Sequence, residues 1–194
     1  ELFGPVEPHP LRTRRTVDGF PAVLILENRK GRPGARNDYW HSDISHAERP
    51  PAVSILHALK VPDGHGDTMF CNMYHAYEAL SMDMREALQD LSALHSGMIT
   101  YTRSLEHNDA RIIDPGEVES PRAHPVVRTH PVTGRPALYV NPHFTTSLAD
   151  MTEDESRPLL NTLYDVAVKP ENIYRHRWRA GDVVMWDNRC TMHY

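Results

Sequence analysis

Residues 180–186 read Ala-Gly-Asp-Val-Val-Met-Trp, a turn dipeptide followed directly by an apolar, β-branched run. A short run of this composition after a turn predicts a strand. Similar runs predict strands at 22–26, 53–59, 67–71, 97–101 and 137–140, and residues 39–44 are also predicted to be extended. The 16 prolines suit the loops and edges of such a β protein better than a helical bundle.

Two segments are predicted to be helical. Residues 73–94 carry apolar side chains at three- and four-residue steps, which predicts an amphipathic helix. Thr152 and Glu155 form a capping-box pattern ahead of a second helix, although Ser156 as the cap would place Pro158 in the first turn. The pattern therefore favours a mainly β fold with flanking helices, either a β-sandwich or a jelly roll.

The chain organisation is simple. Its 194 residues contain no internal repeat and no domain boundary, so residues 1–194 are predicted to form a single domain. Residues 103–123 are polar and lack a period, which predicts a long loop and a candidate lid. The first residue is not Met, and the last, Tyr194, directly follows a candidate catalytic histidine. We therefore expect segments to be missing at both ends.

The composition excludes some classes of protein. A net charge of −5 argues against binding to nucleic acid or to an anionic membrane surface, both of which need a basic surface. Two cysteines, Cys71 and Cys190, do not make a secreted disulfide framework, which favours a cytoplasmic protein. No stretch approaches the roughly 20 apolar residues that a membrane span needs.

The motif Trp40-His41-Ser42-Asp43 carries candidate metal ligands. In a strand, residues i and i+2 point to the same side, so His41 and Asp43 can offer a nitrogen and an oxygen to one point. Two histidines and one carboxylate are the ligand set of non-haem Fe(II) oxygenases, and the third ligand must come from elsewhere. Taken alone, the motif is weak evidence, because two polar residues on a surface strand would explain it more simply.

The surroundings of this motif resemble the taurine dioxygenase / 2,4-dichlorophenoxyacetate dioxygenase (TauD/TfdA) family of 2-oxoglutarate-dependent oxygenases. The resemblance runs from about residue 37 to residue 194. Ordered, collinear segments carry it: NDYWHSD at 37–43, GDT at 66–68, AYEAL at 76–80, HPVVRTHP at 124–131 and RWRAGDVVMWDNR at 177–189. Several such segments in order are far more specific than a single histidine–carboxylate pair.

The resemblance implies a double-stranded β-helix (jelly-roll, cupin-like) core and a specific set of site residues. His193, which follows the last segment, is the implied third ligand of Fe(II), beside His41 and Asp43. Thr68 is implied to bind the carboxylate of 2-oxoglutarate, and a strand threonine that only fills the sheet surface is the alternative. The implied reaction consumes O2 and 2-oxoglutarate, hydroxylates the substrate and releases succinate and CO2.

The resemblance also suggests a substrate pocket. Asn37, Ile44, His46 and Phe144 occupy positions where the taurine enzymes contact substrate, although ordinary packing would explain each of them as well. His46 departs from the aromatic residue expected there, and it could bind an anionic group or shape the wall. A small organic anion, a sulfonate or a carboxylate, is the implied substrate. A homodimer or homotetramer is the implied assembly.

One family feature is missing from the chain. An arginine roughly ten residues beyond the distal histidine should pair with the distal carboxylate of 2-oxoglutarate. The chain ends at Tyr194, and Arg189 belongs to a separate, structural part of the motif. We expect the arginine within about a dozen positions after Tyr194. Two alternatives stay open: a zinc hydrolase with the same ligands, and a catalytically impaired family member that acts as a binding protein.

Overall fold

The computed structural model describes residue 6 and residues 16–27, 38–62, 64–106 and 120–194, with the side chains of residues 103–106 left out. The described strands are, in chain order, β1 (Thr16–Val17), β2 (Phe20–Leu24), β3 (Val53–His57), β4 (Thr68–Asn72), β5 (Ser92–His95), β6 (Arg122–Pro125), β7 (Val127–Thr129), β8 (Pro136–Leu138), β9 (Thr145–Leu148), β10 (Ile173–His176), β11 (Val183–Asp187) and β12 (Thr191–His193). The α-helices are α1 (Met73–Glu78), α2 (Met82–Leu88), α3 (Met98–Glu106) and α4 (Glu153–Ala167), and a 3-10 turn spans Pro170–Asn172. The fold is thus mainly β with few helices.

The chain forms two compact units. One comprises residues 1–38 and 97–120 and contains the hairpin of β1 and β2 together with α3. The other comprises residues 39–96 and 121–194 and contains the remaining strands and helices. Every candidate site residue that the structure describes lies in this second unit.

Antiparallel pairing in the second unit joins the two ends of its sequence. β4 lies between β10 and β12, with Phe70 opposite His193. β11 pairs with β3, with Trp186 opposite Ser54. The strand predicted from residues 180–186 is therefore confirmed, and it runs beside a strand from the first third of the chain.

The core is formed by the helices α1, α2 and α4 together with strands β4, β5, β8, β9 and β12. Burial of each large aliphatic side chain contributes about 1.5–3 kcal/mol. The buried apolar side chains include Met73, Ala76, Leu88, Ala93, Leu138, Leu148, Leu160 and Leu163.

The prediction of one helix over residues 73–94 is wrong. The segment forms α1, α2 and then strand β5. Asn72 caps α1 through its side-chain oxygen, and Ser81 caps α2 by accepting a hydrogen bond from the Met84 N–H at 3.2 Å. The apolar spacing continues across this break because all three elements bury side chains in the same core. The Ser81 cap nevertheless starts a new helix, so the spacing does not correspond to one continuous helix.

Two other predictions change. Residues 97–101 were predicted to be a strand, but α3 begins at Met98. This helix also covers the start of the predicted loop at 103–123, and β6 begins at Arg122. The rest of that loop, residues 107–119, lies outside the described residues, so the lid prediction stays untested.

The capping box ahead of α4 is confirmed. The Thr152 hydroxyl accepts a hydrogen bond from the Glu155 N–H, and the Glu155 carboxylate accepts one from the Thr152 N–H at 2.9 Å. Thr152 is therefore the cap rather than Ser156, and Pro158 lies inside the helix. Within the described ranges, no helix is both long and apolar enough to cross a bilayer.

Candidate metal centre

Two histidines from distant parts of the sequence are joined through their backbones. The His41 N–H donates to the His193 carbonyl at 2.9 Å, and the His193 N–H donates to the His41 carbonyl at 2.8 Å. The centroids of the two imidazole rings lie 4.1 Å apart. Both residues are buried, with 7% and 9% of their surface exposed. The structure thus brings together two of the three predicted ligands.

Asp43 completes the cluster. Its Oδ1 lies 3.7 Å from Nε2 of His41 and 3.7 Å from Nε2 of His193. The potential ligand atoms of all three residues lie within 4.8 Å of one another. Two nitrogens and one oxygen around a common point match the ligand set predicted from the sequence.

The backbone reason for this geometry differs from the predicted one. Residues 39–44 were predicted to be extended, but only His41 makes a β-bridge, and a turn follows. Ile44 has a φ of 50°, in the left-handed region, and its carbonyl accepts a hydrogen bond from the Ala47 N–H at 3.0 Å. The Ser42 hydroxyl donates to the Thr191 carbonyl at 2.8 Å and ties this turn to β12.

The protonation of the imidazoles suits metal binding. His41 Nδ1 lies 2.9 Å from the Tyr39 carbonyl, which can only accept, so in the neutral ring Nδ1 carries the proton and Nε2 offers its lone pair. Burial, with a contribution from the nearby His41 ring, lowers the pKa of His193 to about 4, although the Asp43 carboxylate opposes this shift. A neutral His193 ring is therefore favoured at neutral pH.

A hydroxyl and an amide that the sequence did not single out contact Asp43. The Ser54 hydroxyl donates to Asp43 Oδ2 at 2.6 Å, and the Asn188 side chain donates to the Ser54 oxygen at 2.8 Å. Asn188 lies in the WDNR part of the family segment, and this motif is the sequence signal that could have identified it. Ser54 lies on a strand predicted only for its apolar residues, so it carried no signal of its own.

Thr68 is the first residue of β4, and its hydroxyl oxygen already accepts one hydrogen bond. The Trp178 Nε1–H donates to the Thr68 hydroxyl oxygen at 2.9 Å. Because an indole N–H only donates, the hydroxyl proton of Thr68 remains available for another acceptor. Thr68 and Phe70 share one face of the strand, and the Phe70 ring lies 6.1 Å from the His193 ring. Thr68 is thus directed to the same side of the sheet as the predicted metal ligands.

The structure describes three of the four predicted pocket residues: Ile44, His46 and Phe144. Phe144 lies beside the cluster, with its ring 6.4 Å from the His41 ring and 4.7 Å from the His46 ring. Ile44 directly follows Asp43 in the turn. Asn37 lies outside the described residues. His143, which was not predicted to be a pocket residue, is buried and stacked on Tyr39 with ring centroids 3.7 Å apart.

A second group of potential ligands is already paired. His130 Nε2 donates to Asp187 at 3.0 Å, and Arg189 donates to both oxygens of the same carboxylate at 2.8 and 2.6 Å. Burial would raise the pKa of Asp187, but these hydrogen bonds lower it to about 2. Cys190 lies nearby with its pKa raised by burial. Arg189 thus holds the Asp187 carboxylate, in agreement with the structural role predicted for it.

Comparison with known proteins identifies the family of this chain. The family model described as "Taurine catabolism dioxygenase TauD, TfdA family" matches residues 1–194. The chain is 36% identical to the alpha-ketoglutarate-dependent sulfate ester dioxygenase of Pseudomonas putida, covering 100% of this chain and 64% of that protein. It is 37% identical to the alpha-ketoglutarate-dependent 2,4-dichlorophenoxyacetate dioxygenase of Cupriavidus pinatubonensis, with coverage of 81% and 54%.

A solved structure is also similar to this chain. The crystal structure of AAD-2 in complex with Mn(II) and N-oxalylglycine has a TM-score of 0.70 and 38% identity to this chain, over 81% of this chain and 60% of that one. This chain thus spans less than two thirds of the length of each of these proteins.

Proposed function

The chain belongs to the TauD/TfdA dioxygenase family, and from this we propose that it is the catalytic part of an Fe(II)- and 2-oxoglutarate-dependent dioxygenase that hydroxylates a small organic anion. The observation that carries the proposal is the convergence of His41, Asp43 and His193 within 4.8 Å. Relatives whose names state dependence on alpha-ketoglutarate support the co-substrate.

The three side chains fit an Fe(II) ion by their chemistry. Two neutral imidazole nitrogens and one carboxylate oxygen on one side are the ligands that leave positions open for a co-substrate and dioxygen. When bound, the iron supplies the activation of dioxygen, coupled to decarboxylation of 2-oxoglutarate to succinate and CO2 and to hydroxylation of a C–H bond. We assign His41, Asp43 and His193 as its ligands.

The surrounding residues bind and orient. Thr68 donates its free hydroxyl proton to a carboxylate of 2-oxoglutarate, and Trp178 fixes the direction of that donor from the opposite side. Phe70, Phe144 and His143 surround the imidazoles with ring faces and edges, which keeps water away from the reacting atoms. An arginine beyond Tyr194 is proposed to bind the distal carboxylate of 2-oxoglutarate.

The substrate is proposed to be a sulfonate, a sulfate ester or an aryloxy or alkyl carboxylate. The names of the sulfate ester and 2,4-dichlorophenoxyacetate dioxygenases support this range. Ile44, His46 and Phe144 are the proposed pocket residues, together with Asn37. The ring contact of His46 with Phe144 at 4.7 Å supports placing both on one wall beside the metal ligands.

We also propose that residues 1–194 form one catalytic domain around a double-stranded β-helix. Antiparallel pairing of β3 with β11 and of β4 with β12 supports the β-helix within residues 39–96 and 121–194, because a jelly roll pairs strands from opposite ends of its sequence.

The experiment is succinate release by the full-length protein with a panel of an alkyl sulfate, an alkylsulfonate and an aryloxyacetate. We expect at least one anion to stimulate succinate release that requires Fe(II), 2-oxoglutarate and O2 together. Anion cleavage with Zn(II) and without 2-oxoglutarate would instead establish the zinc hydrolase. Binding of an anion without any 2-oxoglutarate turnover would establish the impaired binding protein.

A further inference from the structure

The two oxygens of the Asp43 carboxylate lie in different surroundings. Oδ1 is 3.7 Å from Nε2 of both His41 and His193. Oδ2 instead accepts a hydrogen bond from the Ser54 hydroxyl at 2.6 Å. This length is typical of a hydroxyl bound to an ionised carboxylate, which is among the stronger protein hydrogen bonds. One oxygen therefore faces the imidazoles while the other is bound to the protein.

The Trp186 side chain determines which atom donates and which accepts in each hydrogen bond of this network. The indole Nε1–H of Trp186 only donates, so the Asn188 atom 3.0 Å away is the amide oxygen. The Asn188 NH2 group then faces Ser54 and donates to its oxygen at 2.8 Å. The single proton of the Ser54 hydroxyl is left for Asp43. The same amide oxygen accepts a hydrogen bond from the Asp43 N–H at 3.3 Å.

This network also connects the segments that carry the ligands. Ser54 lies on β3, and Asn188 directly follows β11 and is 1% exposed. The Asn188 N–H donates to the Ala52 carbonyl at 2.9 Å, which fixes the end of the β3–β11 pair. His193 lies on the next strand, β12. One buried amide therefore sets the position of Asp43 relative to the chain that leads to His193.

We propose that Ser54 and Asn188 are positioning residues that bind Asp43 Oδ2 so that only Oδ1 is presented to the metal. The inference rests on the proposed function, because it assumes a metal held by the three ligands. A carboxylate that offers one oxygen uses one coordination position and leaves the others for the co-substrate and dioxygen. Removing a partner that orients a ligating group in this way typically weakens metal binding by about 10- to 100-fold.

The test is the dissociation constant of Mn(II) for the metal-free full-length protein, measured from the electron paramagnetic resonance signal of free Mn(II). Ser54→Ala is expected to weaken Mn(II) binding by roughly 10- to 100-fold. Ser54→Thr keeps the hydroxyl and is expected to stay close to wild type. Ser54→Cys keeps the volume but donates weakly, and it should also weaken binding if the alanine variant does not fold.

Thr162→Ala is the control. It removes a threonine hydroxyl on α4 that donates to the Pro158 carbonyl at 2.9 Å and makes no hydrogen bond of the Asp43 network. We expect it to keep wild-type Mn(II) affinity. Provided that the wild-type protein binds Mn(II), wild-type affinity in both Ser54→Ala and Ser54→Cys, or equal weakening in Thr162→Ala, would overturn the positioning role. A wild-type protein that does not bind Mn(II) would overturn the proposed function itself.

Discussion

The backbones of His41 and His193 hold each other through a reciprocal pair of hydrogen bonds of 2.9 and 2.8 Å. These bonds do not involve the imidazoles, so either side chain can be removed while the bridge between the two segments persists. Metal binding and folding are therefore separable at this site.

Replacing His193 by alanine is expected to abolish Fe(II)-dependent succinate release. The loss of a direct ligand should weaken metal binding by more than the roughly 10- to 100-fold expected for an outer partner. Succinate release and metal titration measure the effect, and circular dichroism checks the fold. His65→Ala is the control, because that histidine is exposed on a turn. Undiminished iron-dependent turnover by His193→Ala would contradict the ligand assignment.

Thr68→Val is expected to raise the KM for 2-oxoglutarate. The change keeps the shape but removes the hydroxyl, and a hydrogen bond to a charged group is worth about 1.5–3 kcal/mol, or roughly 10- to 100-fold in binding. Thr68→Ser keeps the hydroxyl and should restore most of the affinity. Steady-state kinetics with varied 2-oxoglutarate separate the two variants, and an identical KM in both would show that Thr68 only fills the sheet surface.

Much of the fold could be predicted from the sequence, but the helix breaks could not. The runs at 53–59, 67–71 and 180–186 all became strands because β-branched residues and flanking turns act locally. Residues 97–101 formed a helix instead, because short apolar runs do not distinguish strand from helix.

The proposed metal ligands could be predicted from motif order, whereas their hydrogen-bond partners could not. The first family segment carries His41 and Asp43, His193 follows the last one, and the structure brings the three together. Ser54 has no motif of its own, and its role follows only from the pairing of β3 with β11, which brings Ser54 opposite Trp186. Such a contact between distant strands leaves no local pattern in the sequence.

A buried polar network lies behind the proposed pocket. The Ser45 hydroxyl lies 2.9 Å from His95 Nδ1 and accepts a hydrogen bond from the Asn141 side chain at 2.9 Å. The Asn141 side-chain oxygen accepts a hydrogen bond from the Phe144 N–H at 2.8 Å. The network therefore ties the turn after Asp43 to the turn that carries Phe144.

Ser45→Ala is expected to lower the free energy of unfolding by about 1–3 kcal/mol, because it leaves buried polar atoms of His95 and Asn141 without a partner. Urea denaturation measures the change. Thr162→Ala is the control, since it removes a hydroxyl on the exposed face of α4 that bonds only to the Pro158 carbonyl. Its effect should stay within about 0.5 kcal/mol. Equal effects in the two variants would contradict a stabilising network.

His95 should make the stability depend on pH. Burial, with the nearby His124 and His46 rings, lowers its pKa to about 3, whereas an unfolded histidine titrates near about 6.5. Below about pH 6.5 the unfolded chain binds a proton that the folded protein does not. The stabilisation is therefore fully present above about pH 6.5 and is lost as the pH falls toward about 3.

The measurement compares wild type with His95→Gln, which keeps a donor and an acceptor but does not titrate. Between pH 6 and 4, urea unfolding of the wild type should lose up to about 1.4 kcal/mol more per pH unit than the variant. His193, whose pKa burial also lowers, is present in both proteins, so its contribution cancels in the comparison. Parallel curves for the two proteins would mean that His95 gains its proton as easily in the folded state as in the unfolded chain, contrary to its burial.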